Sequence, residues 1–461
     1  MKKFLFVLLA SLTILSLFSC AGSDTDTTDV KSIEDLPQPT YKRGETVTLN
    51  VYNWGEYISD GSEDSFDVNR EFEKYFNSTL SEKYGGIKIK VEYSTYPTNE
   101  DMYSKITNSA VSYDVIIPSD YMIEKMKNEG LLYSFDTSSL TNYGNIPEKF
   151  RGAYYDLNNE FSVPYTYGML GIIYNREGVD AEDIADKSWS LMWNEKYAGN
   201  ILQFNNPRDA FATAMYYLGL DVNSENPDDW DKALEKLKEQ KPLLQGYVND
   251  EIFNKMKSES ALVASYYVGD FLTMADEQEN LDFYYPTEGT NYFVDAMCIP
   301  TCSSNPQLAK EYINYMISEE PAVANAIYIG YASPNTAVTE SEEYIEAMAE
   351  YAYEGENGDG AYELLYNYTP DVVNKSYNEK FSGKTDPACY RSFNPDIQTR
   401  VNTLWEDLKI AGSTEPWVHI ATVTIVGSVL VLWGYTTYVK KKRSRDYRLR
   451  DKEARLKKLS K

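Results

Sequence analysis

At 461 residues the chain exceeds what one hydrophobic core usually organises, so two globular lobes with appendages are expected. It contains 41 Tyr but a single His, His419, placed in an apolar run, which removes most chemistry that needs imidazole as base or metal ligand; no cofactor is expected. The net charge of −27 hides a basic tail, since the last 22 residues carry +9 and the rest −36, a balance that serves solubility, repels nucleic acid and concentrates cations near a cleft.

Lys2 and Lys3 followed by the apolar stretch Phe4 to Leu17 form a signal peptide. Its end, Leu17-Phe18-Ser19-Cys20-Ala21-Gly22, resembles a bacterial lipobox, which makes residues 1–20 a lipoprotein signal peptide and Cys20 the lipidated N-terminus; a plain secretory signal with a chance Cys is the alternative. Residues 21–46 are polar, with four Asp, Glu34 and Glu45 among Thr, Ser and Pro, and read as a tether unable to bury enough surface to fold alone.

From Val47 the pattern becomes that of a folded domain. Val47 to Tyr52 alternates as a strand, Ile87 to Tyr93 is a second and Asp114 to Ile117 a third, and strands keep alternating with helical segments through Ile201 to Phe204, Ala261 to Tyr266 and Val294 to Ile299. This order argues for an α/β fold with mainly parallel sheets, whose ligands sit at the carboxyl ends of strands. Those ends hold Tyr52-Asn53-Trp54-Gly55-Glu56-Tyr57, Pro118-Ser119-Asp120-Tyr121, Asn205-Asn206-Pro207-Arg208-Asp209, Tyr266-Tyr267-Val268-Gly269-Asp270, Tyr292-Phe293-Val294-Asp295 and Gly330-Tyr331-Ala332-Ser333. Aromatic faces and carboxylates recurring there describe a cleft for an organic cation, since a ring attracts an ammonium within ~6 Å and a carboxylate adds a charge-assisted hydrogen bond. Plain capping also accounts for Asn206-Pro207-Arg208-Asp209 and for Ser119.

Cys298 and Cys302 flank an extended Ile299-Pro300 stretch too long for a bridge, so these and Cys389 are expected to be free thiols. Trp417 to Val439 is 23 residues without a formal charge, enough at ~1.5 Å per residue to span a ~30 Å hydrocarbon core as a transmembrane helix. Lys440-Lys441-Lys442-Arg443 follows at once, and the positive-inside rule puts the tail 440–461 in the cytoplasm and the globular part outside the cell membrane.

The motifs YNWGEYI, PSDYMIEKM, YVGDF, VDAMCIP and GYASPN, in this order, resemble the spermidine/putrescine-binding protein family over roughly Val47 to Lys409. The resemblance implies a two-lobe periplasmic-binding-protein-like fold of type II with a hinge, no enzymatic activity, and delivery of a polyamine to the permease and ATPase of an ABC importer. It implies lobe 1 over 47–161 and 295–409, and lobe 2 over 162–294. Trp54, Gly55 and Tyr57, with Glu56 between them, match the family's first ligand loop, and Ser119 and Tyr121 match its second. Asp209 stands at an amine-binding carboxylate, whereas Asn206 replaces an Asp. Tyr267 and Phe293 stand at aromatic positions, Asp295 at the acid that grips an amine, and Tyr331 at a Tyr before the Pro-Asn turn. Asp120 and Asp270 are extra carboxylates that could offset Asn206. Arg391 aligns loosely with a ligand-binding Gln, where its charge would repel a polyamine, so it is left out of the site. Rival readings are the same fold binding a sugar or another cation, a surface glycosidase, or a sensor subunit without transport.

Overall fold

The computed structural model describes residues 30–108, 111–351, 353, 360–410 and Thr436. Strand β1 (Thr46–Trp54) carries the first alternating run and pairs in parallel with β2 (Lys88–Tyr96), from Thr46 opposite Lys88 to Trp54 opposite Tyr96, and with β3 (Val115–Ile116). The remaining strands are β4 (Ser162–Asn175), β5 (Ile201–Phe204), β6 (Leu244–Val248), β7 (Val263–Tyr267), β8 (Leu281–Tyr284) and β9 (Tyr292–Cys298). They line up as β2-β1-β3-β9-β4-β7-β5-β6, with β8 also on β4.

β4 decides the architecture. Its 14 residues are all buried and span roughly 46 Å at about 3.3 Å each, so one strand serves two sheets. Its first half pairs antiparallel with β9, and its second half with β7 and β8. One lobe is therefore built on β1, β2, β3, β9 and the start of β4, the other on the end of β4 and β5 to β8. The pairs expected to be parallel are so at β1–β2, β1–β3, β5–β6 and β5–β7; around β4 and β9 the pairing is antiparallel. β4 escapes detection from sequence because both faces are buried, so it lacks alternation, and Pro164, Gly168 and Gly171 interrupt it.

Two expected boundaries are corrected. The helix Pro395–Ile410 packs on the second lobe, against the helices Pro227–Gln240 and Pro207–Tyr217, rather than staying with the first lobe as the 295–409 range implied. Its buried residues Ile397, Val401, Leu404 and Leu408 form one helical stripe that needs an apolar partner. Next to it, Phe393 meets Trp230 edge-on with ring centroids 4.9 Å apart. The tether is also shorter than 21–46: Ile33 is 4% exposed, its N–H donates to the Ser134 carbonyl at 2.9 Å, and Glu34 pairs with Lys310 at 2.7 Å. The apolar Ile33 within a polar stretch is what docks it.

Cys298, Cys302 and Cys389 are free thiols. Among the described residues no helix is long and apolar enough to cross a membrane. The expected signal peptide, Cys20 and the basic tail lie outside the described residues, as does the 417–439 span apart from Thr436.

Candidate functional site

All thirteen residues singled out from the strand ends converge on one cleft between the lobes: Trp54, Gly55, Glu56, Tyr57, Ser119, Asp120, Tyr121, Asn206, Asp209, Tyr267, Phe293, Asp295 and Tyr331. They arrive from different places in the fold: Trp54 ends β1, Ser119 to Tyr121 open the helix after β3, Asn206 and Asp209 open the helix after β5, Tyr267 ends β7, Phe293 and Asp295 lie near the start of β9, and Tyr331 follows the helix Glu319–Ile329. Trp54 closes β1 and is fixed by its indole N–H donating to the Ile117 carbonyl at 2.9 Å, with its ring 4.8 Å from Tyr96. Glu56 follows with φ +48°, a left-handed conformation that costs a non-glycine residue free energy and presents its carboxylate at the cleft.

Asp295, on β9, is 4% exposed. Its Oδ2 accepts from the Tyr57 hydroxyl at 2.8 Å and the Ser119 hydroxyl also lies beside the carboxyl, while Oδ1 is left without a donor in hydrogen-bonding geometry. Burial raises its carboxyl to about 6, against the pull of the neighbouring hydroxyls. A buried carboxylate oxygen without a donor is costly.

Asp209 behaves differently. Its oxygens accept from the Tyr267 hydroxyl at 2.6 Å, the Asn206 amide at 2.9 Å and the Tyr390 hydroxyl at 3.0 Å. Asn206 also caps the helix Pro207–Tyr217 by accepting from the Asp209 N–H at 2.8 Å, so capping and site-building coexist there. Ser119 makes no capping bond; its hydroxyl accepts from the Asn99 amide at 3.1 Å. Asp120 is tied to backbone, accepting from the Tyr121 N–H at 2.7 Å and the Val294 N–H at 3.4 Å, which holds the second loop against β9.

The walls are aromatic. Tyr57 stands edge-on to Tyr331 at 5.0 Å, Phe293 edge-on to Tyr267 at 5.6 Å, and Tyr121 to Tyr390 at 6.0 Å. The lobes touch directly at the other side: the Tyr331 hydroxyl donates to Asp270 Oδ2 at 2.9 Å across the gap. A β-carbon at Gly269 would lie 2.2 Å from the Tyr331 ring, and one at Gly55 would lie 2.5 Å from Asp250 Oδ2, so glycine permits the approach at both places.

Strand-end patterns did not reveal Glu100, Asp250 and Tyr390, which also line the cleft, as does Arg208, which stands in one of the strand-end clusters but was not singled out for the site. Glu100 accepts from the Tyr121 hydroxyl at 3.0 Å. Asp250 follows β6, a strand without clear alternation, which is why its position was missed. Seven carboxylates thus face the cleft, with Arg208 the one basic side chain among the lining residues. Arg208 is 4% exposed, lies 3.6 Å from the Phe393 ring centroid, and donates to Asn223 at 2.8 Å. Burial, reinforced by Asp250 and Glu56, pushes Asp270 to about 8 against the Tyr331 hydrogen bond, and burial raises Asp250. Burial and the mutual repulsion of neighbouring carboxylates both favour the protonated form. Arg391 lies outside the cleft, paired with Glu124 at 2.5 Å. Among the described residues no cluster of His, Cys, Asp and Glu is arranged to hold a metal ion.

Comparison with known proteins agrees with this architecture. Residues 71–351 match the family described as bacterial extracellular solute-binding protein. The spermidine/putrescine-binding periplasmic protein of Escherichia coli is 31% identical over 291 residues, covering 63% of this chain and 78% of that protein. Spermidine/putrescine-binding periplasmic protein 1 of Haemophilus influenzae is 29% identical, covering 73% of this chain and 86% of that protein. The structure of a putative spermidine/putrescine ABC transporter protein from Listeria monocytogenes superposes with a TM-score of 0.63 at 30% identity, covering 79% of this chain and 99% of that one. With the family match spanning more than half of its length and the two-lobe architecture in agreement, this chain belongs to the bacterial extracellular solute-binding protein family.

Proposed function

We propose that this chain captures a polyamine, putrescine or spermidine, in the interlobe cleft and delivers it to the permease and ATPase of an ABC importer. The reading rests on Asp295: a buried carboxylate with one open oxygen, set among aromatic faces and six further carboxylates. An ammonium supplies the missing donor and the missing positive charge together, and ring faces suit the methylenes and the charge. The cleft's free volume is about 90 Å³, where one water takes ~10–15 Å³ on the same measure, which suits a slender unbranched chain better than a disaccharide. Each paired amine contributes ~1.5–3 kcal/mol, so a few contacts plus stem burial reach the micromolar range, about −8 kcal/mol.

The lobes move about β4 and β9 as a type II hinge, open without ligand and closed on it. The role is capture without turnover. The signal peptide, a lipid on Cys20 and a helix over 417–439 anchor the globular part on the outer face of the cell membrane, with the tail 440–461 inside. A thermal-shift comparison of putrescine, spermidine and maltose tests the ligand class: the two amines raise the melting temperature and maltose does not. A shift with maltose alone would overturn the reading in favour of a sugar binder.

A further inference from the structure

We propose that Arg391 and Glu124 form an interlobe clasp, a positioning pair that touches no ligand yet sets how long the cleft stays closed. The inference rests on the capture reading above, because a clasp matters only if the lobes part and rejoin.

The main chain around Arg391 is anchored to the second lobe at Cys389 and Arg391 and to the first lobe at its neighbours, where the Tyr154 hydroxyl donates to the Tyr390 carbonyl. The Asn223 side chain donates to the Cys389 carbonyl at 2.7 Å and accepts from the Arg391 N–H at 2.8 Å, and Arg208 donates to the Arg391 carbonyl at 3.1 Å. The side chain of the same residue is held by the first lobe. Its Nη2 donates to Glu124 Oε1 at 2.5 Å, and its Nε lies 3.2 Å from both Glu124 oxygens. The guanidinium lies 4.4 Å from the Tyr154 ring centroid, and the adjoining Ser392 N–H donates to Glu124 Oε2 at 2.8 Å. One short segment thus grips both halves of the molecule.

The grip is next to the ligand but not in it. Glu124 lies one turn beyond Tyr121 in the helix Asp120–Asn128, whose start lines the cleft, while neither Glu124 nor Arg391 lines it. The two partners are unequally exposed: side-chain exposure is 12% for Glu124 and 37% for Arg391. If the lobes part here, Arg391 can return to water, but Glu124 loses the one cationic partner it has among the described residues, in a mostly buried position. The cost of opening therefore falls on Glu124. The same pairing absorbs the positive charge that would repel a polyamine from the Gln-like position to which Arg391 aligns.

Glu124→Gln, Arg391→Gln, Arg391→Lys and the double Gln variant of the full-length chain test the clasp by stopped-flow spermidine dissociation and by small-angle scattering of the empty protein. Each single Gln variant should speed dissociation roughly tenfold with association nearly unchanged, because breaking a charge pair acts chiefly on the off-rate. The double variant should be no faster than either single one, Arg391→Lys should recover part of the loss, and empty Glu124→Gln should be more expanded than wild type. An unchanged off-rate and unchanged scattering, with only a lower melting temperature, would reduce the pair to a structural staple. If wild type binds no polyamine, the capture reading fails, while the scattering comparison still decides whether the pair holds the lobes.

Discussion

Asp295 and Asp209 share a residue type and a cleft, yet their chemistry diverges because of what donates to them. Asp209 is satisfied by Tyr267, Tyr390 and Asn206, whereas Asp295 keeps an open oxygen. Asp295→Asn should weaken polyamine binding roughly 10- to 100-fold, the loss of one charge-assisted contact of ~1.5–3 kcal/mol. It should not lower the melting temperature of the empty protein at pH 8, since it removes a buried charge; titration calorimetry and thermal melts check the two halves. The pH dependence follows from the same burial. Asp295 and Asp270 have carboxyls raised from 3.8 to about 6 and about 8, so the folded state binds more protons than the unfolded one. Their contribution to stability is complete below pH ~4 and is lost as pH rises through those two values. A polyamine reverses the loss by pairing with the ionised forms. The ligand-induced rise in melting temperature should therefore grow from pH 5.5 to 8, and calorimetry at pH 7 in buffers of different ionisation enthalpy should show proton release. A flat pH profile would mean these carboxylates do not face the ligand.

At the scale of the element, the strand-to-helix junction is the unit that was legible in the sequence. An aromatic or acidic cluster after an apolar run identifies itself locally, so Trp54, Tyr57, Ser119 and Asp209 could be singled out before any contact was known, whereas Tyr331, expected at a strand end, follows the helix Glu319–Ile329. β4 could not, because a strand buried on both faces has no alternation, and with it went the antiparallel centre of the molecule. Glu100, Asp250 and Tyr390 were missed because their place in the cleft depends on tertiary packing rather than on a local pattern. The placement of Pro395–Ile410 on the second lobe likewise depends on an apolar stripe finding Trp230 and its neighbours. The junction at Asn206 does two jobs, and these separate experimentally. Asn206→Ala should cost about 1 kcal/mol through the lost cap and also weaken ligand binding, whereas Tyr267→Phe should leave the helix cap intact and affect the site alone. Equal melting temperatures for wild type and Asn206→Ala would show that the cap contributes nothing.

For the whole molecule, function depends on two lobes meeting closely, and one such approach is made at a glycine. Gly269 sits in the first turn of the helix Val268–Glu277, where alanine would favour the helix, yet its β-carbon would lie 2.2 Å from the Tyr331 ring on the other lobe. Gly269→Ala should thus leave the empty protein as stable as wild type while preventing full closure. Small-angle scattering with saturating spermidine should show wild type contracting and the variant staying expanded, with weaker binding. The central claim, that Asp295 holds an ammonium of a polyamine in this cleft, is tested most directly by isothermal titration of spermidine and putrescine into wild type and Asp295→Asn. The expected result is one site at micromolar affinity or tighter for at least one of the two amines in wild type, weakened 10-fold or more in the variant. Equal affinity in both proteins, or no binding of either amine to wild type, would contradict it.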